Sequence, residues 1–179
     1  DHFIREYGLS PQQIYTYDQF DQLKNDPSIE FVYIVLPHHL HAEYTIKALE
    51  AGKHVICEKP MAATVKEAEQ MMDAARKTGK TISIGYRLHF DPYHQEMIRI
   101  VKEQVFGNLT GIDCSFSFVP PKAAWRLSKE KSGGGPLVDV GIYCIQAVCY
   151  LTGHEPVAVT AQSLPVTDSE KFNGIEETL

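Results

Sequence analysis

The sequence lacks a basic stripe and any surplus of positive charge: 17 lysines and arginines stand against 23 aspartates and glutamates, a net charge of −6. Nucleic acid as the main partner needs a cationic footprint for its phosphates, so that class is set aside. No run approaches the ~18 consecutive apolar residues of a membrane span, and no charged start with an apolar signal core opens the chain. A soluble chain with no membrane partner is therefore expected. The four cysteines, Cys57, Cys114, Cys144 and Cys149, show no CxxC spacing. They read as buried thiols in a reducing compartment and not as a disulfide frame or zinc site. The cytoplasm is the expected location, with the periplasm left open. Glycine occurs twelve times, yet never as G-x-G-x-x-G after a strand. The phosphate-binding turn of a doubly wound nucleotide domain is thus missing, and the chain reads as a fragment whose first strands lie elsewhere.

What is present begins with 179 residues of ordinary globular composition, 44% hydrophobic and 22% charged. The opening residues suggest the tail of a helix, a short strand around Ile14 and Tyr15, and a helix capped by Asp18. A near-continuous apolar run over 31–36 suits a strand covered on both faces, and 41–53 follows with helical spacing at Ala42, Ile46 and Leu49 before Gly52. The unit repeats: strand 54–57, a helix with Thr64 as N-cap, Glu67 in the capping-box position and Gly79 near its end, then strand 81–86. Strand, helix, strand, helix, strand implies right-handed crossovers and a parallel sheet.

Beyond Pro92 the pattern changes. A helix over 94–106 leads to Gly107, and 109–119 reads as a long strand. A loop with Trp125 and Arg126 precedes a glycine turn, Gly133 to Gly135, and a helix of roughly four turns. Val138, Ile142, Ile145 and Val148 form its apolar face; Asp139, Tyr143, Gln146 and Tyr150 share the other. Residues 156–164 read as a further strand and 174–179 as the start of another. The expected division is 1–107 for the parallel-sheet unit and 108–179 for a second α+β unit.

Ligands of a parallel sheet bind outside the carboxyl ends of its strands. That edge collects Pro37 to His41, Glu58 to Pro60, and Gly85 to Arg87. Oxidising a secondary alcohol needs a hydride acceptor and a group that takes the hydroxyl proton; Lys59 suits the second task. Asp139 and Tyr143, one helical turn apart, can bind sugar-like hydroxyls or relay the proton.

The stretches "EKPMA", "GYRLHFDP", "AWRL" and "GGGPLVDVGIY" resemble, in this order and spacing, the glucose-fructose oxidoreductase, inositol dehydrogenase and rhizopine-catabolism (Gfo/Idh/MocA) superfamily, and its glucose-fructose branch most. The resemblance implies an α/β fold: a partial Rossmann-type parallel sheet, then an incomplete α/β domain with an open, mostly antiparallel sheet. It implies Lys59, Asp139 and Tyr143 as catalytic residues, with Tyr143 standing where much of the family has histidine. It places NAD or NADP against Leu36, Pro37, His41, Glu58, Lys59, Arg87, Trp125 and Arg126, and it commonly brings a cis bond at Lys59-Pro60. The implied activity is NAD(P)-dependent oxidation or reduction of a sugar or polyol, with homo-oligomerisation through the C-terminal sheet. The isolated fragment is expected to be inactive.

Several alternatives stand beside this reading. The same hydride step would also serve a nicotinamide-dependent glycosidase, and a non-catalytic homologue would keep the fold alone. His38, His39 and His41, with Cys57 and His89, offer metal-ligand chemistry, but match no zinc template, and no metal is expected. Taken singly, Glu58 and Lys59 would be a solvated surface pair, Asp139 a first-turn helix residue favoured by the dipole, and Trp125 a packing residue.

Overall fold

The computed structural model of the chain describes residues 2–122 and 124–179. Three short strands, Phe31–Ile34 (β1), His54–Cys57 (β2) and Ile82–Ile84 (β3), pair in parallel in the order β1-β2-β3. A short helix His2–Tyr7 (α1) precedes them, and helices His41–Glu50 (α2) and Val65–Thr78 (α3) are the two crossovers. The crossover helices bury their apolar stripes on one face of the sheet. Ile34, Val55 and Cys57 from the strands meet Ala42, Ala48, Leu49, Met71 and Ala74 from the helices in one cluster. Burial presses the Cys57 thiol up to about 11, so it stays protonated in this core.

Local chemistry sets the helix ends. The Thr64 hydroxyl accepts from the Glu67 main-chain N–H at 3.2 Å while the Glu67 carboxylate accepts from the Thr64 N–H at 2.9 Å, closing the capping box. Gly79 ends α3 in the left-handed conformation, with φ +66°. Asp91 caps the next helix, Pro92–Lys102 (α4), by accepting from the N–H groups of Tyr93 and His94. Proline in the first turn, lacking the N–H that would be unpaired there, suits that start.

Several expectations are corrected. No strand forms at Ile14 and Tyr15; 3-10 turns at Pro11–Gln13 and Tyr17–Asn25 occupy that region. The second turn is capped by Thr16, not Asp18, because Gln19 three residues on reaches back to the Thr16 N–H at 3.1 Å. Among the described residues the sheet is covered on one face only. Phe31, Tyr33, Val35 and Ile56 are exposed on the other, since the crossover helices pack on the first. In the second half, 109–119, 156–164 and 174–179 form no strand among the described residues. One main-chain bond, Leu164 N–H to Thr178 O, joins two of them. Strands need partner backbones, and these segments have most of their side chains in solvent.

The long helix of the second half is broken into a short turn Lys129–Ser132 (α5), a π-helical turn Leu137–Gly141 and the helix Ile142–Thr152 (α6). Its faces also depart in part from expectation. Asp139 is buried whereas Ile145 and Val148 are exposed, because Asp139 finds charged partners inside. By length and composition the stretch Lys129–Thr152 could cross a bilayer. The glycine break and the buried, ion-paired Asp139 interrupt that stretch. All four cysteines are free thiols, and Cys114 is exposed, contrary to the buried reading.

Candidate active site

Two loops and one helical break build the site. β2 ends at Cys57, and the chain turns at once through Glu58, Lys59 and a cis Lys59-Pro60 bond before α3. Opposite this turn the segment Ser132 to Gly135 approaches closely. Gly133 sits at φ +76°, and a Cβ there would lie 2.9 Å from that of Ala63. A side chain at 133 would hold the two loops apart. The absence of one lets the π-helical turn bring Asp139 to Lys59.

Lys59 Nζ donates to Asp139 Oδ1 at 2.9 Å and also to the Asp139 main-chain carbonyl. Arg126 Nε donates to the other carboxylate oxygen, Oδ2, at 2.9 Å. The carboxylate, 8% exposed, is thus held between two cations, one on each oxygen. A buried charge needs such partners; an unpaired one would cost several kcal/mol. The ammonium also lies 4.9 Å from the centre of the Tyr143 ring, within cation–π range.

His38 completes this group. Its Nδ1 is 2.8 Å from the Ser132 carbonyl oxygen, which fixes that nitrogen as the donor. Its Nε2 faces Asp139 Oδ1 at 3.7 Å. Burial is the main force pushing this imidazole down to about 4, opposed by the Ser132 carbonyl and the Asp139 charge. His38 is therefore neutral at ordinary pH. Trp125 meets it edge to face at 4.6 Å between ring centres, and Arg126 stacks over Trp125 at 4.4 Å.

A second group lies at the strand ends. Tyr33 donates to Glu58 Oε1, and the Lys59 main-chain N–H reaches Glu58 Oε2 at 3.3 Å. A Cβ at Gly85 would lie 3.2 Å from the Glu58 carboxylate. Burial raises the Tyr143 phenol, and the Arg87 guanidinium beside it acts in the opposite sense by charge and hydrogen bond. Tyr143 therefore joins the two groups, with Lys59 over its ring and Arg87 and Glu58 within electrostatic reach.

Of the ten residues expected from sequence, Lys59, Asp139, Tyr143, Trp125 and Arg126 come together around one carboxylate. Glu58 and Arg87 adjoin them through Tyr143. Leu36, Pro37 and His41 form the loop behind: His41, fully buried, places its two ring nitrogens 2.7 Å from Pro60 O and 2.8 Å from Leu36 O, tying the ends of β1 and β2. Of the histidines weighed as metal ligands, His38, His39 and His41 turn ring nitrogens to main-chain carbonyls, His39 to that of Lys131, while His89 stacks on Tyr150. Among the described residues no group of three metal-ligating side chains converges. Sequence reasoning missed His38 as a partner of Asp139, and it missed Tyr33. Tyr33 had one signal, since strand alternation puts it on the side of the sheet that Ile56 and Glu58 share.

Beside Asp139 and Arg126 opens a cleft of about 150 Å³, walled by Phe116, Phe172 and Glu176 among others. Its mixture of aromatic faces and carboxylates suits a polyhydroxylated ligand.

Comparison with known proteins adds an independent line. Residues 3–86 match the oxidoreductase family with an NAD-binding Rossmann fold, and residues 94–177 match the GFO/IDH/MocA C-terminal domain. The crystal structure of the aldose-aldose oxidoreductase from Caulobacter crescentus, complexed with glycerol, superposes with a TM-score of 0.87 at 34% identity, covering 98% of this chain and 52% of that one. A levoglucosan dehydrogenase in complex with NADH and levoglucosan gives 0.68 at 31% identity, over 84% of this chain and 41% of the other. The D-xylose 1-dehydrogenase [NADP(+)] of Haloarcula marismortui is 35% identical over 151 residues, 80% of this chain and 41% of that protein. The chain spans about half the length of the proteins it matches.

Proposed function

Since the chain belongs to the Gfo/Idh/MocA oxidoreductase family, we propose that it carries the proton-transfer and nicotinamide-facing part of an NAD(P)-dependent sugar or polyol oxidoreductase. The observation that carries this reading is the Lys59–Asp139–Arg126 cluster with Tyr143 against the ammonium. Relatives that act on D-xylose with NADP or bind NADH with levoglucosan point the same way.

The edge fits the nicotinamide half of a dinucleotide: Glu58 offers acceptors, Arg87 a cation, and Gly85 a position without a side chain. Trp125, Arg126, Leu36, Pro37 and His41 would line or brace the same crevice. When bound, the dinucleotide supplies the acceptor for a hydride leaving the alcohol carbon. In the oxidation direction the hydroxyl proton would go to Lys59 Nζ in its neutral form; in reduction the Lys59 ammonium or the Tyr143 hydroxyl would give a proton to the carbonyl oxygen. Asp139 orients Lys59 through two hydrogen bonds, and Arg126 on its far oxygen keeps the carboxylate in position. Neutral His38 adds no charge to compete for it. The sugar would occupy the cleft beside Arg126, its ring against Phe116 and Phe172.

The division at residue 107, a place in the glucose-fructose branch and a cytoplasmic setting for the four free thiols complete the proposal. So does homo-oligomerisation through the exposed apolar side chains of the second half, such as Phe118, Val157 and Val159. The test is turnover of the intact protein with aldoses and polyols, followed by nicotinamide absorbance with NAD and NADP. Lys59→Ala is expected to lower turnover by roughly 10²–10⁴-fold, the effect of losing a general acid or base, with cofactor affinity much less changed. Near-normal turnover in the variant would remove Lys59 from the mechanism.

A further inference from the structure

Side chains alternate across a strand, so Tyr33 on β1, Ile56 and Glu58 on and beyond β2, and Ser83 and Gly85 at β3 point to one side of the sheet. The register agrees, Tyr33 standing opposite Ile56 and Ile56 opposite Ser83. Tyr33 is 58% exposed, which makes it no core residue, yet its hydroxyl is bonded to Glu58 Oε1. The strand pairing runs on past the ladder, through Glu58 N–H to Ile34 O at 3.0 Å and Gly85 N–H to Cys57 O at 2.8 Å. The Glu58 carboxylate is therefore flanked by one device from each neighbouring strand: a donor from β1, and a bare Cα after β3.

We propose that Tyr33 is a positioning residue, which with Gly85 holds the Glu58 carboxylate in one orientation to accept the vicinal hydroxyls of the ribose in the nicotinamide half of a dinucleotide. A carboxylate has about four acceptor sites. Tyr33 takes one on Oε1 and the Lys59 N–H one on Oε2, which leaves one on each oxygen, side by side. That pair matches two hydroxyls on adjacent carbons. A free glutamate at a sheet edge samples several rotamers and loses that freedom on binding; a held one has less to lose. The Tyr33 phenol is raised first by its bond to Glu58, so it remains a donor.

The inference rests on the oxidoreductase reading for the identity of the occupant. Its test is a double-mutant cycle in the intact protein, with dissociation constants for NADH and NADPH read by cofactor fluorescence. Tyr33→Phe is expected to weaken binding by roughly 3- to 10-fold, the scale of one ordinary intramolecular hydrogen bond. Glu58→Gln should weaken it further, and the double variant should bind no more weakly than Glu58→Gln alone. Gly85→Ala should match Tyr33→Phe, while the KM for sugar at saturating cofactor stays constant in all four. Additive losses, or a raised sugar KM with cofactor affinity intact, would overturn the role of Tyr33 and leave the oxidoreductase reading standing. Failure of the unsubstituted protein to bind either dinucleotide would overturn both.

Discussion

His38 is 3% exposed and packed against Asp139, His41 and Trp125, so protonating it places a third positive charge in a closed space already holding Lys59 and Arg126. Its imidazole titrates near 4 in the folded chain and near 6.5 when unfolded. Between those values the unfolded chain binds more protons. Stability is therefore complete above about pH 6.5 and falls as pH drops toward 4, by about 3 kcal/mol at 1.36 kcal/mol per pKa unit. Urea unfolding of the intact protein between pH 7 and pH 4.5 should show this slope, and His38→Gln should flatten it. Equal slopes in the two proteins would sink the assignment. At this scale Lys59 and Asp139 were legible, because the short motifs around them carry their own local signal. His38 was not, since its role comes from Ser132 and Asp139, about a hundred residues away, and nothing near His38 in sequence announces them.

Among elements, α2, α3 and the parallel strands were readable because periodicity, caps and terminal glycines are local. The segments 109–119 and 156–164 were misread because β pairing is not local: an apolar stretch reads as a strand whether or not a partner backbone lies beside it. The break before Asp139 was also missed, as proline and three glycines before a helix looked like a simple start. That break can be tested at Gly133. An alanine there must adopt a left-handed backbone and meet Ala63, a combination expected to cost about 1–3 kcal/mol by denaturant unfolding. Thr64→Ala, which removes one cap hydroxyl, should cost about 1 kcal/mol. If Gly133→Ala proves the milder of the two, the loops yield more readily than their contact implies.

Across the whole molecule, order is distributed unevenly. Buried apolar residues concentrate in β1, β2, α2 and α3, whereas 109–119 and 156–167 are almost wholly exposed and lie outside any ladder. Amide deuterium exchange should accordingly be slowest in β2 and along the inner faces of α2 and α3, and fastest in those two segments. Uniform protection would contradict this division. One contact crosses it with a consequence for biosynthesis: Lys59 and Asp139, whose side chains meet, are 80 residues apart in the chain. A ribosome makes Lys59 long before Asp139, and domains fold largely in the order in which they emerge. The sheet edge can therefore form and present its lysine while the carboxylate that orients it is still unmade. A nascent chain therefore carries Lys59 without its Asp139 partner until synthesis has passed the glycine break.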